Sequence, residues 1–132
     1  MNKKFKEIKD LIDFLKQEAE SCLFSELCAL VGLDSENNLI YKKMENRSDK
    51  PYHYFIIDAY DYLNFTLENK CLFVFHTHLV GDEKPSEFDI VTSENCCYPF
   101  LIYSITNEKF GFYEPHHKEY DVRIIEEIKK NI

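Results

Sequence analysis

The sequence predicts a mixed α/β fold in which helices flank a central β-sheet. Three features carry that expectation: apolar runs of strand length at 27–33 and 71–75, amphipathic helical repeats near both ends, and turn-forming residues between them. With 132 residues, 45% of them hydrophobic and 15% aromatic, the chain can bury one sizeable core, so a single domain over 1–132 is expected. Each element has its own signal.

Residues 3–20 read as a helix, because Phe5, Ile8, Leu11, Ile12 and Leu15 recur at three- and four-residue spacing opposite Lys and Glu. The unbroken apolar run 27–33 suits a strand covered on both faces. A turn over 34–38 leads to a second strand opening at Leu39, and the polar stretch 45–51 reads as a surface loop. Residues 52–57 are a further strand candidate. Asp58 is placed to cap a helix running through Lys70, with Ala59, Leu63 and Leu67 on its buried face. The clearest core strand, 71–75, runs directly into His76-Thr77-His78. After a loop over 79–85, a helix is expected from Ser86 to about Cys97. Segments 100–105 and 110–113 form an expected hairpin turning at Asn107-Glu108. A last helix from about Lys118 carries Val122, Ile125 and Ile128 at spacing three.

Composition excludes several functions. The glycines, Gly32, Gly81 and Gly111, lie at least 30 positions apart, which rules out a P-loop or a GxGxxG dinucleotide fingerprint. A net charge of −8 argues against a nucleic-acid or anionic-membrane partner. Charged residues interrupt the start at Lys3, Lys4, Lys6 and Glu7, so no secretory h-region is read, and no apolar run is long enough to span a bilayer. Five cysteines without CxxC spacing fit a reduced, cytoplasmic compartment.

The informative stretch is His76-Thr77-His78 followed, after seven residues, by Ser86-Glu87-Phe88-Asp89. Histidines at i and i+2 on a strand project from one face, so both imidazoles can reach one ion, and Asp89 on the next helix can supply a third ligand. Three such ligands leave a fourth position for water, the arrangement of catalytic zinc, which brings the pKa of bound water from 15.7 to about 7. Each half also has an ordinary explanation. HxH occurs in cores, and Ser86-x-x-Asp89 after Pro85 reads as a helix N-terminus. The two together, at this spacing, are much harder to obtain by chance.

The pattern His-x-His-x7-Ser-x2-Asp resembles the JAMM (MPN-plus, or JAB-domain) zinc metalloprotease motif at each defining position. That family also places a glutamate at the start of a buried Glu-x-Cys-Gly-Leu strand. The matching run here is Glu26-Leu27-Cys28-Ala29-Leu30; Glu20-Ser21-Cys22 is a weaker match, with no strand directly after it. Segments 55–62 and 99–104 are most similar to small prokaryotic JAB proteins, including the JAB domain of lambda-type phage tail assembly protein K and stand-alone proteases paired with ubiquitin-like or sulfur-carrier proteins. The likeness extends from the first helix to Pro115.

The resemblance implies an MPN/JAB-like domain with a central mixed sheet. It implies that His76, His78 and Asp89 hold zinc, that Glu26 takes a proton from the attacking water and passes it to the leaving amine, and that Ser86 donates to the oxyanion. Two imidazoles and a carboxylate favour zinc over iron or manganese. The implied substrate is the C-terminal tail of a ubiquitin-like or sulfur-carrier protein, or a phage tail component, in an amide hydrolysis. A non-catalytic MPN-type scaffold is the alternative. Two positions depart from the family pattern: Leu79 stands where proline is usual after HxH, and Ala29 replaces the glycine of Glu-x-Cys-Gly.

Other candidates have plainer readings. Cys96-Cys97 fit half-buried helix positions, since the HxE and PCxxC of zinc deaminases are missing. Cys28 lies within a core strand, where a thiolate nucleophile is disfavoured. His116-His117 read as an exposed connector. Tyr52, Tyr54, Tyr60 and Tyr62 are candidates for lining a peptide groove.

Overall fold

A computed structural model describes residues 2–132. The elements in chain order are β1 (Asn2–Phe5), α1 (Ile8–Ser21), β2 (Cys28–Leu33), β3 (Leu39–Met44), α2 (Ala59–Glu68), β4 (Lys70–His78), α3 (Glu87–Cys96), β5 (Phe100–Ser104), β6 (Lys109–Tyr113) and α4 (Val122–Lys130). The strands form one mixed sheet in the order β1-β3-β2-β4-β5-β6. β4 and β5 run parallel, with α3 as their crossover, and the other neighbours are antiparallel.

Both faces of the sheet are covered. On one, Leu11, Ile12 and Leu15 of α1 and Ile125 and Ile128 of α4 pack against Tyr41, Phe73, Phe75 and Tyr103. On the other, Phe55 and Phe65 pack against Leu30, Val74 and Phe100. Each such apolar side chain contributes about 1.5–3 kcal/mol when fully buried.

A bulge sets which face the β4 side chains take. Val31 pairs with Phe73 and Gly32 with Cys71, so Leu72 is the extra residue. Leu72 and Phe73 therefore both enter the α1/α4 core, while Val74 and then His76 and His78 turn to the opposite face. Gly32 sits beside this bulge, where a Cβ would lie 2.5 Å from the Lys70 carbonyl oxygen and 3.2 Å from the Phe65 ring.

The expected hairpin of β5 and β6, the strand from Cys71 into His78 and the helix following Ser86 are present. Three expectations are corrected. Lys3 to Phe5 belong to an edge strand paired with β3, not to the first helix; Phe5 meets Phe14 of α1 at 5.2 Å from that strand. Residues 52–57 form no strand. Both neighbours of β2 and of β3 are already taken, and the segment is held instead by Arg47 N–H to the Ile56 carbonyl and by Asn46. The α2 helix buries Phe65 and half of Tyr62, leaving Ala59, Leu63 and Leu67, the residues expected on its buried face, exposed, because the two aromatic rings remove more surface from water.

Candidate metal centre

β4 delivers His76 and His78 to one face at consecutive alternate positions. His76 is 0% exposed, its ring 4.5 Å from that of Phe55 and 5.4 Å from that of Phe100. His78 lies at the strand end, half-buried, 5.2 Å from His76 between ring centroids.

The third group comes from the first turn of α3. Ser86 is its N-cap: Asp89 N–H donates to Ser86 Oγ at 3.1 Å, and Ser86 N–H donates to Asp89 Oδ2 at 2.9 Å. This capping box fixes the Asp89 rotamer and aims its carboxylate at the strand. Asp89 Oδ1 stands 3.1 Å from His76 Nε2, and Oδ2 stands 2.9 Å from His78 Nε2. Donor atoms from these three side chains lie within 4.8 Å of one another.

The hydrogen-bond chemistry of this group requires a cation. His78 Nδ1 is 2.8 Å from the Asp82 carbonyl oxygen, which can only accept, so the proton sits on Nδ1. A neutral His78 then presents a bare Nε2 lone pair to a carboxylate oxygen. The approach is favourable only with a proton or a metal ion between them. His76 has neither ring nitrogen in a well-aligned hydrogen bond despite complete burial. Leaving a buried polar group unsatisfied costs about 1–3 kcal/mol. A divalent ion at this point would use both nitrogens and the carboxylate, so the donor set fits zinc.

Charge states follow the same geometry. Burial pushes the Asp89 pKa up, but the two imidazoles beside the carboxylate and the hydrogen bond from the Ser86 N–H outweigh it and hold the carboxyl far below the usual range. Burial lowers the pKa of His76, against the pull of Asp89. Burial also acts to lower that of His78, yet Asp89 and the Asp82 carbonyl win and the net shift is upward.

Glu26 enters from the other side. It precedes β2, where Leu27 N–H donates to Thr77 Oγ1 at 2.9 Å and Thr77 N–H donates to the Leu27 carbonyl at 3.1 Å. The residue between the two histidines therefore also places the candidate proton acceptor. Glu26 N–H donates to the Pro51 carbonyl at 2.7 Å, and Asn46 Nδ2 donates to the carbonyls of Glu26, Pro51 and Tyr54 at 3.1, 3.3 and 3.2 Å. Glu26 as a residue is 5% exposed, and its carboxyl is pushed up to about 8, mainly by burial, with His78 opposing and Asp89 adding. Glu26, His78, Ser86 and Asp89 line one cleft of about 350 Å³, and His76 lies buried beside Asp89, with its Nε2 3.1 Å from Asp89 Oδ1.

Several contributors were invisible in the sequence reading. His53 and Lys84 line the cleft, Asn46 anchors the 46–56 loop, and Asp82 acts through a backbone carbonyl. Only Asn46, a loop asparagine before a polar run, carries even a weak sequence signal. Tyr54 lines the cleft as expected of a groove residue, whereas Tyr60 lies exposed on α2.

The competing candidates fall into ordinary roles. The Cys28 thiol is buried, donates to the Met44 carbonyl and is pushed up to about 12 by burial. The five cysteines are free. Cys97 is the left-handed C-cap of α3. His116 is exposed against Glu94, and His117 bonds Glu119; His117 and Glu119 approach Cys97 at the surface, without a buried unsatisfied donor like His76.

A solved structure shares this architecture. A solved JAB1/MPN domain protein from Archaeoglobus fulgidus superimposes with a TM-score of 0.50, covering 86% of this chain and 90% of its own, at 16% sequence identity. The fold is that of a JAB1/MPN domain. No protein-family model matches the sequence, and no curated protein matches it. At this identity the correspondence is one of fold, and the chemistry rests on this chain's own residues. No helix among the described residues is long and apolar enough to cross a membrane.

Proposed function

We propose that this chain is a zinc-dependent peptidase or isopeptidase that hydrolyses an amide near the C-terminal tail of a ubiquitin-like or sulfur-carrier protein. The observation that carries the reading is the convergence of two imidazoles and a carboxylate on one point, with His76 buried and unsatisfied and with His78 and Asp89 lining a cleft that also holds Glu26. The JAB1/MPN fold supports it.

His76, His78 and Asp89 would hold the ion. Bound zinc would supply Lewis acidity and a water acidic enough to ionise near neutral pH. Glu26, its carboxyl raised by burial, is poised to hold a proton near neutrality and to return it to the departing amine. Ser86 accepts from the Asp89 N–H through Oγ, so its hydroxyl proton remains available to a developing oxyanion. The Asp82 carbonyl holds His78 in the tautomer that leaves Nε2 free for the ion.

The test is metal content by mass spectrometry on protein purified without chelator or nickel, beside His78→Ala. About one zinc per chain, lost in the variant, together with cleavage of tail-extended carrier proteins that Glu26→Gln cannot perform, is the expected result. Zinc-free protein that also fails to take up added zinc refutes the hydrolase and leaves a non-catalytic scaffold. Phage tail proteins belong in the same substrate panel, since the chemistry would be identical.

A further inference from the structure

A second cavity, of about 310 Å³, opens beside the cleft between α3, the start of α2 and residues 55–57. Its floor is Phe55, Val74 and Phe100, all buried. Its rim is Ile56 and Phe88, which are 44% and 42% exposed. Neither rim residue is needed to complete the core, and each leaves apolar surface in water at the mouth of an apolar hollow. The volume lies at the lower end of the roughly 300–1,000 Å³ of small-molecule pockets, which suits one side chain.

Two contacts join this cavity to the metal-binding group. Phe55, part of the floor, has its ring 4.5 Å from that of His76. Phe88 immediately precedes Asp89 and meets Tyr54, a cleft residue, at 5.4 Å between ring centroids. The Tyr54–Phe88 pair is therefore the partition between the polar cleft and the apolar cavity. An extended chain advances about 3.3–3.6 Å per residue, so a step of two residues exceeds either of the ring contacts, 4.5 and 5.4 Å, that join the cavity to the metal-binding group and its cleft.

Resting on the peptidase reading above, we propose that this cavity is a specificity pocket that takes a large apolar side chain of the substrate, aromatic or branched aliphatic, within two residues of the scissile amide. A tail of glycines alone leaves it unfilled. The pocket thus selects, among extended tails, those with a bulky apolar residue close to the cleaved bond. Burying such a side chain is worth roughly tenfold to a hundredfold in discrimination against glycine.

The experiment has two arms. Zinc-loaded protein is given a peptide series in which each of the two residues on either side of one cleavage site is set in turn to Gly, Leu or Phe. At one of these positions Phe or Leu should exceed Gly by roughly tenfold or more in kcat/KM. Ala59→Phe and Thr92→Phe, which place a ring into the cavity from the exposed start of α2 and from α3, should bring that ratio to about one. Separately, N-acetylphenylalaninamide is titrated into the protein by two-dimensional NMR, without reference to turnover. It should shift Val74 and Thr92 signals in the parent and not in Ala59→Phe, and N-acetylglycinamide should shift neither. Hydrolysis with no apolar preference, or a preference that survives both fillings, overturns the pocket and leaves the peptidase reading standing. Absence of hydrolysis from protein shown to carry zinc overturns the peptidase reading instead. In that event the pocket is decided by the titration alone, and it falls if the shifts are absent or persist in Ala59→Phe.

Discussion

Replacing Glu26 by glutamine should make the stability of the metal-free protein less sensitive to alkali. The Glu26 carboxyl rises from an ordinary 4.5 to about 8 on folding, chiefly through burial. Its folded-state pKa is raised, so the folded chain keeps a proton that the unfolded chain releases. The associated stability is complete below pH 4.5 and is lost progressively as pH rises through about 8. A gap of roughly 3.5 units at 1.36 kcal/mol each sets a ceiling of about 5 kcal/mol. The carboxyl borders an open cleft where water relaxes its charge, so about 2–3 kcal/mol is the expected size. Glutamine is neutral throughout and carries no such loss. Urea unfolding of chelator-treated parent and Glu26→Gln at pH 5 and pH 9 measures it directly. The difference in stability, variant minus parent, should grow by about 2–3 kcal/mol, moving the relative midpoint by about 1–2 M. A difference constant within about 0.5 kcal/mol across that range refutes the idea that burial holds the proton on Glu26. Zinc at the neighbouring group favours the charged carboxylate and should shrink the effect.

Three further outcomes follow from single contacts. Asn46→Ala removes donations to three carbonyls and acceptance from the N–H groups of Ser48 and Ile56, and should destabilise by about 2–3 kcal/mol in urea unfolding, water replacing part of the loss. Ser86→Ala deletes an N-cap worth about 1 kcal/mol and should lower kcat about 100- to 1,000-fold while chelator competition finds zinc affinity nearly unchanged. Gly111→Ala places a Cβ 1.9 Å from the Glu83 carbonyl oxygen and must displace the 79–85 loop that carries the Asp82 partner of His78. Zinc affinity should fall about 10- to 100-fold in the same competition assay, with α-helical circular dichroism retained.

Much of the fold was legible because local chemistry and final environment agree. The run at 71–75 is apolar on both faces and sits mid-sheet, Asp58 and Ser86 cap the helices they precede, and His76 and His78 share a face simply because strands alternate. Where local and global preferences parted, the sequence misled. Phe5 fits the helical period of α1 but equally fits an edge strand whose ring reaches Phe14, and sheet pairing prevails. The aromatic 52–57 segment has strand propensity, but no sheet edge is left beside β2 or β3 for it. The site showed the same division. Side-chain ligands are readable from spacing, whereas the Asp82 carbonyl and the carbonyls gathered by Asn46 belong to backbone, which every residue possesses and no residue type advertises.

The α3 helix has an unusual anchorage. Its fully buried residues are Asp89 and Ser93, both polar; Ser93 Oγ donates to the Tyr98 carbonyl at 2.6 Å, and Asp89 faces the two histidines. The strand carrying those histidines, and β2, which Glu26 precedes, are instead locked between two apolar layers. Local opening therefore begins at α3, and amide hydrogen exchange there should be faster than in β4 by orders of magnitude. An ion held by all three side chains ties this polar-anchored helix to a strand in the middle of the sheet. Capture and release of the ion would then follow the lifting and reseating of a single helix, while the strand ligands stay in place.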